Sequence, residues 1–134
     1  MSTKGGQMNW EIEYMQEEGV LYIKTSGSLN DVRENQMMIA DALAEAAKQG
    51  TTKCLIDDRD LTLKLGTMDI YSVPETFKTL GVSHEYKVAI VFSAVPKGED
   101  DFKFYEARAA NLGYKHRLFT DPNAALDWLT EQDA

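Results

Sequence analysis

The chain has 134 residues, of which 43% are hydrophobic and 27% are charged, and its formal net charge is −8. This length fits one domain, and the apolar content is that of a globular protein rather than a disordered chain. An acidic chain without clustered lysines and arginines is repelled by phosphate backbones, so nucleic acid is excluded as an expected partner. The sequence contains neither an apolar signal-peptide segment nor a run long enough to cross a membrane, so we expect a cytoplasmic protein without transmembrane anchoring.

The first part of the chain predicts a tail and a hairpin. Residues 1–8 are mostly polar, with Gly5 and Gly6 among them, and we expect them to form a flexible tail before a domain over residues 9–134. Residues 10–15 begin with alternating apolar and acidic side chains, which is typical of a half-buried strand. Residues 20–25 are rich in β-branched and aromatic side chains, and the turn ending at Gly19 predicts an antiparallel hairpin.

The rest of the chain alternates helical and strand patterns. A helix capped by Asp31 is predicted to run to about Gln49. Short apolar runs at residues 53–57 and 87–92 are typical of buried central strands, and a broken helix is expected between them. The remaining elements are a helix over residues 99–112, a strand over residues 114–119 and a final helix capped by Asp121.

The predicted order is therefore β-β-α-β-α-β-α-β-α. It favours an α/β fold with one mixed five-stranded sheet covered by four helices, in which most pairings after the hairpin are parallel. A flavodoxin-like fold is the alternative, but it usually starts with a buried strand and a helix, whereas this chain starts with a hairpin.

Over about residues 9–131 the chain resembles the SpoIIAA-like family of STAS-like domains. The resemblance depends on the order of elements and on the sequences VAIV (88–91), DFKFYE (101–106), NLG (111–113) and ALDWL (125–129). It implies the SpoIIAA-like fold, which is also similar to that of Sec14/CRAL-TRIO lipid-binding domains. Together with the absence of catalytic motifs described below, this resemblance favours a binding or regulatory function over an enzymatic one.

The resemblance also suggests a phosphorylation switch as an alternative function. In STAS anti-sigma-factor antagonists, a strand ends in aspartate, and an Asp-Ser pair farther along the chain carries the regulatory phosphorylation at a helix N terminus. Asp57 matches the strand end, but Leu65, Gly66 and Thr67 stand where the pair is expected. Only Thr67 offers a hydroxyl there, either as the phosphate acceptor or simply as the N-cap of a short helix.

Motifs for catalysis, cofactors and metals are missing from the sequence. Neither Gly-x-Ser-x-Gly nor a Cys–His motif is found, so we expect no enzymatic activity and no cofactor. Cys54 lies in an apolar run and is interpreted as a buried structural residue. His84 and His116 lack the spacing of metal ligands, so they are interpreted as unrelated surface or edge residues and no metal is predicted.

Charged residues follow the predicted strand at residues 53–57. Ligand sites of open α/β sheets often lie at this end of the strands, so Asp57, Asp58, Arg59 and Glu106 are candidates for a polar site. The other interpretation is a solvated turn in which Arg59 pairs with a neighbouring carboxylate or with Glu106.

Residues 61–82 carry more apolar side chains than a connecting segment needs, and Gly66, Pro74 and Gly81 interrupt them at natural hinge positions. We therefore predict a mobile lid over a pocket for an apolar small molecule or lipid. Two alternatives are open: these side chains simply cap the sheet, or their exposed surface forms a homodimer or binds a protein partner. The residues predicted to contact the ligand are Leu63, Leu65, Met68, Tyr71, Phe77, Phe102 and Tyr105.

Overall fold

The computed structural model of the chain describes residues 3–5, 8–93 and 96–131. They form one six-stranded sheet in which the strands lie in the same order as in the sequence. The first two pairings are antiparallel and the other three are parallel. The strands are β1 (Thr3–Gly5), β2 (Met8–Met15), β3 (Val20–Leu29), β4 (Lys53–Leu63), β5 (Lys87–Val91) and β6 (Lys115–Phe119).

The helices cover both faces of this sheet. Because β3 to β6 are parallel neighbours, right-handed crossovers place all the connecting helices on one face, here named the α1 face. The last helix follows β6 and packs on the opposite face, here named the α5 face. The helices are α1 (Val32–Gln49), α2 (Thr67–Ser72), a 3₁₀ turn (Pro74–Thr76), α3 (Phe77–Leu80), α4 (Pro96–Asn111) and α5 (Pro122–Thr130).

Alternating side chains of the strands build two hydrophobic cores. On β5, Val88 and Ile90 join the core of the α1 face, whereas Ala89 and Val91 join that of the α5 face. Both sets are buried, which explains why this strand appears in the sequence as a continuous apolar run. The predicted mixed α/β sheet with parallel pairing after the hairpin is therefore confirmed.

The start of the chain differs from the prediction. Part of the expected flexible tail, Thr3–Gly5, is a strand that pairs with β2, and this adds a sixth strand to the sheet. Met8, also assigned to the tail, belongs to β2 and is fully buried. Its amide donates a 3.0 Å hydrogen bond to Glu34 Oε2, which ties the beginning of β2 to α1. The polar character of residues 1–7 concealed this pairing, since main-chain hydrogen bonds require no apolar side chain.

The strand that begins at Lys53 is longer than predicted. Residues 53–57 pair with β5, but β4 continues beside β3 to Leu63. The pairing of β3 with β4 contains a β-bulge. Lys24 pairs with Asp57 and Ser26 pairs with Asp60, so β4 has one more residue than β3 between these two pairs. An extra residue reverses the alternation of side chains, so Leu61 and Leu63 face the same side as Asp58.

Helix α4 also begins earlier than predicted, at Pro96 instead of Glu99. Proline has a fixed φ and lacks an N–H that the first helical turn would leave unpaired, which suits this position. The predicted caps of α1 and α5 are present: the side chains of Asp31 and Asp121 accept hydrogen bonds from the amides two residues later.

Candidate functional site

A partly open cavity of about 120 Å³ lies between the α1 face of the sheet and helices α1 to α4. Its walls come from four strands and from every helix on this face, and most of the side chains are aliphatic or aromatic. The apolar lining residues are Ile23, Leu29, Met38, Ile39, Ala42, Leu43, Cys54, Ile56, Leu61, Leu63, Leu65, Ile70, Val73, Phe77, Val82, Val88, Ile90 and Phe102.

Residues 65–82, here named the cover, close one side of this cavity. Phe77 is the largest side chain that the cover contributes and is only 2% exposed. Its ring meets Tyr114 edge to face, with 5.0 Å between centroids and planes at 90°. Gly81 ends α3 with φ +90°, a left-handed conformation that strains other residues. The chain therefore turns back to the sheet at Gly81, shortly after Phe77.

Most of the residues predicted to contact a ligand do line this cavity. Leu63, Leu65, Phe77, Phe102 and Tyr105 are among its walls, although Leu63 belongs to β4 and not to the predicted broken helix. These five side chains reach the cavity from a strand, from the cover and from α4.

Met68 and Tyr71 lie outside the cavity, contrary to the prediction. They are 78% and 38% exposed, because on α2 they occupy the side opposite to Ile70 and Val73, which do line the cavity. The sequence showed the apolar content of this segment, but the prediction did not separate its two faces.

Helix α2 begins at Thr67, and the N-cap position belongs to Gly66. The predicted cap role of Thr67 is therefore wrong by one residue. The Thr67 side chain lies outside the part of the chain that the structure describes, so phosphorylation of Thr67 stays a prediction.

The cavity wall also contains polar groups, one of which is His116. This histidine was interpreted as a surface or edge residue; it does lie on β6, an edge strand of the described sheet, but its side chain is only 9% exposed. Its Nδ1 lies 2.6 Å from the Tyr105 hydroxyl, and its Nε2 is buried without a hydrogen-bond partner in the described structure. Burial lowers the pKa of His116 to about 4, so the ring is neutral at pH 7.

Asp58 is a second polar group of the cavity wall. It lines the cavity and accepts a 2.6 Å hydrogen bond from the Thr25 hydroxyl. Burial raises the pKa of Asp58 to about 6, against the effect of that hydrogen bond and with a contribution from the charge of Asp57. Burial also raises the pKa of Tyr105, and the charge of Asp58 adds to that shift. Asn35 and Asp101 complete the polar lining.

Asp57 belongs to a different environment from Asp58, on the α5 face. It is fully buried, and Arg59 donates to both of its oxygens, at 2.9 and 2.7 Å. Tyr22 donates a further hydrogen bond of 2.6 Å, and Lys24 lies 3.5 Å away. Burial alone would raise the pKa of Asp57, but these hydrogen bonds and the lysine charge outweigh it and hold the pKa well below its usual range.

The predicted polar site is therefore not assembled as one group. Arg59 pairs with Asp57, as the interpretation of a neighbouring carboxylate expected, but this pair lies within β4 and not in a solvated turn. Glu106 is not a partner of Arg59, because its Oε2 accepts a 2.7 Å hydrogen bond from the Leu118 amide on β6. Only Asp58 of the four candidates reaches the cavity.

The inward position of His116 was not predicted, although the sequence carries a signal for it. In the strand pattern, His116 stands between Lys115 and Arg117, so a period of two places it on the apolar face with Leu118. A histidine flanked by two cations on a strand is thus expected to face inward.

The described residues show no group of three or more histidines, cysteines or carboxylates arranged to hold a metal ion. Burial raises the pKa of Cys54 to about 12, so the thiol stays protonated and is a poor nucleophile at neutral pH. Within the ranges given above, no helix combines the length and apolar character needed to cross a membrane.

Comparisons with known proteins identify the fold. No protein-family model and no curated protein matches the sequence. The crystal structure of an anti-sigma factor antagonist from Mycobacterium paratuberculosis is similar, with a TM-score of 0.60 and 14% identity over 92% of this chain and 95% of that one. The crystal structure of an uncharacterised DUF3478-family protein with a SpoIIAA-like fold from Shewanella loihica PV-4 is also similar. Its TM-score is 0.55, with 25% identity over 96% of this chain and 98% of that one. The chain therefore has the SpoIIAA-like fold.

Proposed function

We propose that this chain is a non-enzymatic binding domain whose ligand is a small, largely apolar molecule held in the cavity beneath the cover. The observation that carries this proposal is the composition of the walls: they consist mainly of apolar side chains from both sheet and helices, with a few polar groups among them. Apolar pockets that contain a few polar groups are the usual sites of small-molecule binding in proteins.

The size of the cavity limits the ligand. Its volume of about 120 Å³ is close to that of engineered cavities of ~150 Å³ that bind benzene. A single ring or a short aliphatic chain fits this space, whereas a long-chain lipid requires the cover to move outward. Gly66 and Gly81 flank the helical part of the cover, and we propose them as the hinges of that movement.

Native mass spectrometry of the purified protein, followed by organic extraction, tests this proposal. We expect a bound apolar molecule, or saturable binding of added toluene where none is retained. The variant Ala42→Leu adds volume inside the cavity and is expected to abolish binding. Ala44→Leu is the matched control, because Ala44 is exposed on the same helix.

A lack of saturable toluene binding in the wild-type protein would contradict the proposal, since the cavity would then be only a gap in the core. Equal binding by the Ala42→Leu variant would place the ligand elsewhere.

A protein partner is the second candidate, favoured by an exposed apolar surface beside the cover. Tyr71 and Phe104 lie with ring centroids 5.8 Å apart, both are more than a third exposed, and Met68 precedes Tyr71 on α2. A similar fold belongs to a protein described as an anti-sigma factor antagonist, which supports a regulatory partner. In the alternative phospho-switch, Thr67 at the start of α2 would control this surface.

Affinity capture with quantitative mass spectrometry tests the second candidate. A specific partner should be lost with Met68→Asp and kept with Met37→Asp, since Met37 is also exposed but lies on α1. Thr67→Asp and Thr67→Ala should then differ in partner binding. Equal capture by all four variants would remove this candidate, and a dimer that dissociates with Met68→Asp would identify the partner as a second copy.

A further inference from the structure

The polar groups of the cavity wall determine which small molecules it accepts, provided that the proposed binding function holds. Neutral imidazole has one donor and one acceptor nitrogen. The Tyr105 hydroxyl, 2.6 Å from Nδ1, donates to His116 in one tautomer and accepts from it in the other. In both tautomers the buried Nε2 has no partner within the described structure. A buried polar atom without a hydrogen-bond partner destabilises the protein, and a ligand that supplies the missing hydrogen bond recovers this free energy.

A hydroxyl group is suited to this nitrogen. It both donates and accepts, so it pairs with Nε2 whichever tautomer His116 adopts. A carbonyl can serve only the protonated nitrogen, and an ammonium group can serve only the unprotonated one. A hydrocarbon leaves Nε2 without a partner.

The charge of the cavity disfavours anionic ligands. Asp58 and Asp101 line it, and none of its described lining residues is a lysine or an arginine. With a pKa of about 6, Asp58 is mostly ionised at pH 7.5. A bound carboxylate would lose its hydration and meet like charge in the cavity, and both effects oppose binding.

We infer that the cavity selects small apolar molecules that carry one neutral hydroxyl group, which hydrogen-bonds to His116 Nε2, over the corresponding hydrocarbons and carboxylates. The wall of aliphatic and aromatic side chains holds the apolar part. Asp58 and Asp101 exclude acids of the same shape, including the head group of a fatty acid.

Toluene, benzyl alcohol and benzoate are matched probes for this inference, because they share one ring and differ in the group attached to it. Affinities are measured at pH 7.5 by NMR titration of the full chain. We expect benzyl alcohol to bind about fivefold more tightly than toluene, as one additional neutral hydrogen bond allows. Benzoate should bind more than tenfold more weakly than benzyl alcohol.

Two variants test whether His116 and Asp58 cause this selectivity. The amide of His116→Asn can replace Nδ1 as the partner of Tyr105 but has no group at the Nε2 position, so the preference for benzyl alcohol over toluene should disappear. Asp58→Asn keeps an acceptor for Thr25 and removes the charge, so benzoate should bind more tightly than to the wild-type protein. Thermal melting confirms that each variant is folded.

The outcomes separate this inference from the proposed function. If toluene does not bind, the proposed function fails. If toluene binds but benzyl alcohol has no advantage, or benzoate binds as well as benzyl alcohol, only the inferred selectivity of the cavity is refuted. If His116→Asn does not fold, Asp58→Asn and the three wild-type affinities still decide the inference.

Discussion

Replacing Phe77 with alanine tests whether the cover is an integral part of the folded domain. The Phe77 ring is almost fully buried and contacts Tyr114 at 5.0 Å, His116 at 5.1 Å and Tyr105 at 6.4 Å between centroids. Truncation of a buried phenylalanine costs about 3–5 kcal/mol. The edge-to-face contacts with both tyrosines place Phe77 in the upper half of that range. The expected loss is therefore about 4–5 kcal/mol, a large share of the ~5–15 kcal/mol stability of a typical domain.

Urea denaturation followed by circular dichroism measures this loss. The free energy of unfolding is extrapolated to water, and the slope of the transition shows whether the unfolded surface has changed. Phe104→Ala is the matched control, because Phe104 is 37% exposed on α4 and does not line the cavity. Its loss should stay below about 1 kcal/mol.

A loss below about 1 kcal/mol for Phe77→Ala would refute this reasoning. The global unfolding transition reports the contacts of Phe77 only if the cover unfolds together with the sheet. A small loss would mean that the cover opens as a separate unit, or that Phe77 does not pack as described. Equal losses for Phe77→Ala and Phe104→Ala would lead to the same conclusion.

Three further predictions concern the polar groups of the cavity wall and the attachment of the cover. Because the folded-state pKa of Asp58 is raised to about 6, its ionisation destabilises the fold as pH rises from about 4 to 6. Asp58→Asn should therefore raise the melting temperature at pH 7 and flatten this part of the pH–stability curve measured calorimetrically; an unchanged curve would contradict the burial of Asp58. The folded-state pKa of His116 is lowered to about 4, so its NMR ring signals should stay constant from pH 8 to pH 5.5, and a midpoint near 6.5 would refute its burial. The guanidinium of Arg108 lies 4.1 Å above the Tyr71 ring and pairs with Glu75. Arg108→Met should therefore increase the rate of hydrogen exchange at residues 67–80 more than elsewhere. The control Arg33→Met, at an exposed arginine on α1, should not have this effect.

The order of elements could be predicted because hydrophobic periodicity reports burial directly. The continuous run on β5 predicted a strand buried on both faces, and the caps at Asp31 and Asp121 fixed two helix starts. The path of β4 was harder to predict. Leu61 and Leu63 alternate with polar residues as a strand requires, but the bulge after Asp57 puts them out of phase with Ile56, so the segments did not look continuous.

The candidate site was predicted only in part because it depends on contacts between distant elements. The apolar content of the cover indicated Leu65 and Phe77, while the exposure of Met68 depends on how α2 packs against α4. His116 and Asp58 were separated in the prediction, since no local pattern shows that β6 and the bulged part of β4 contribute to one cavity. Polar sites formed by distant strands require the tertiary structure.

The most direct test of ligand binding is a ¹³C NMR titration of labelled isoleucine and leucine methyl groups with toluene. Ile70 and Ile90 line the cavity from the cover and from β5, whereas Leu55 and Leu129 are buried in the core of the α5 face. Saturable shifts with a common dissociation constant are expected at Ile70 and Ile90, and none at Leu55 and Leu129. Shifts that do not saturate, or that are equal on both faces, would contradict the assignment of the cavity as a binding site.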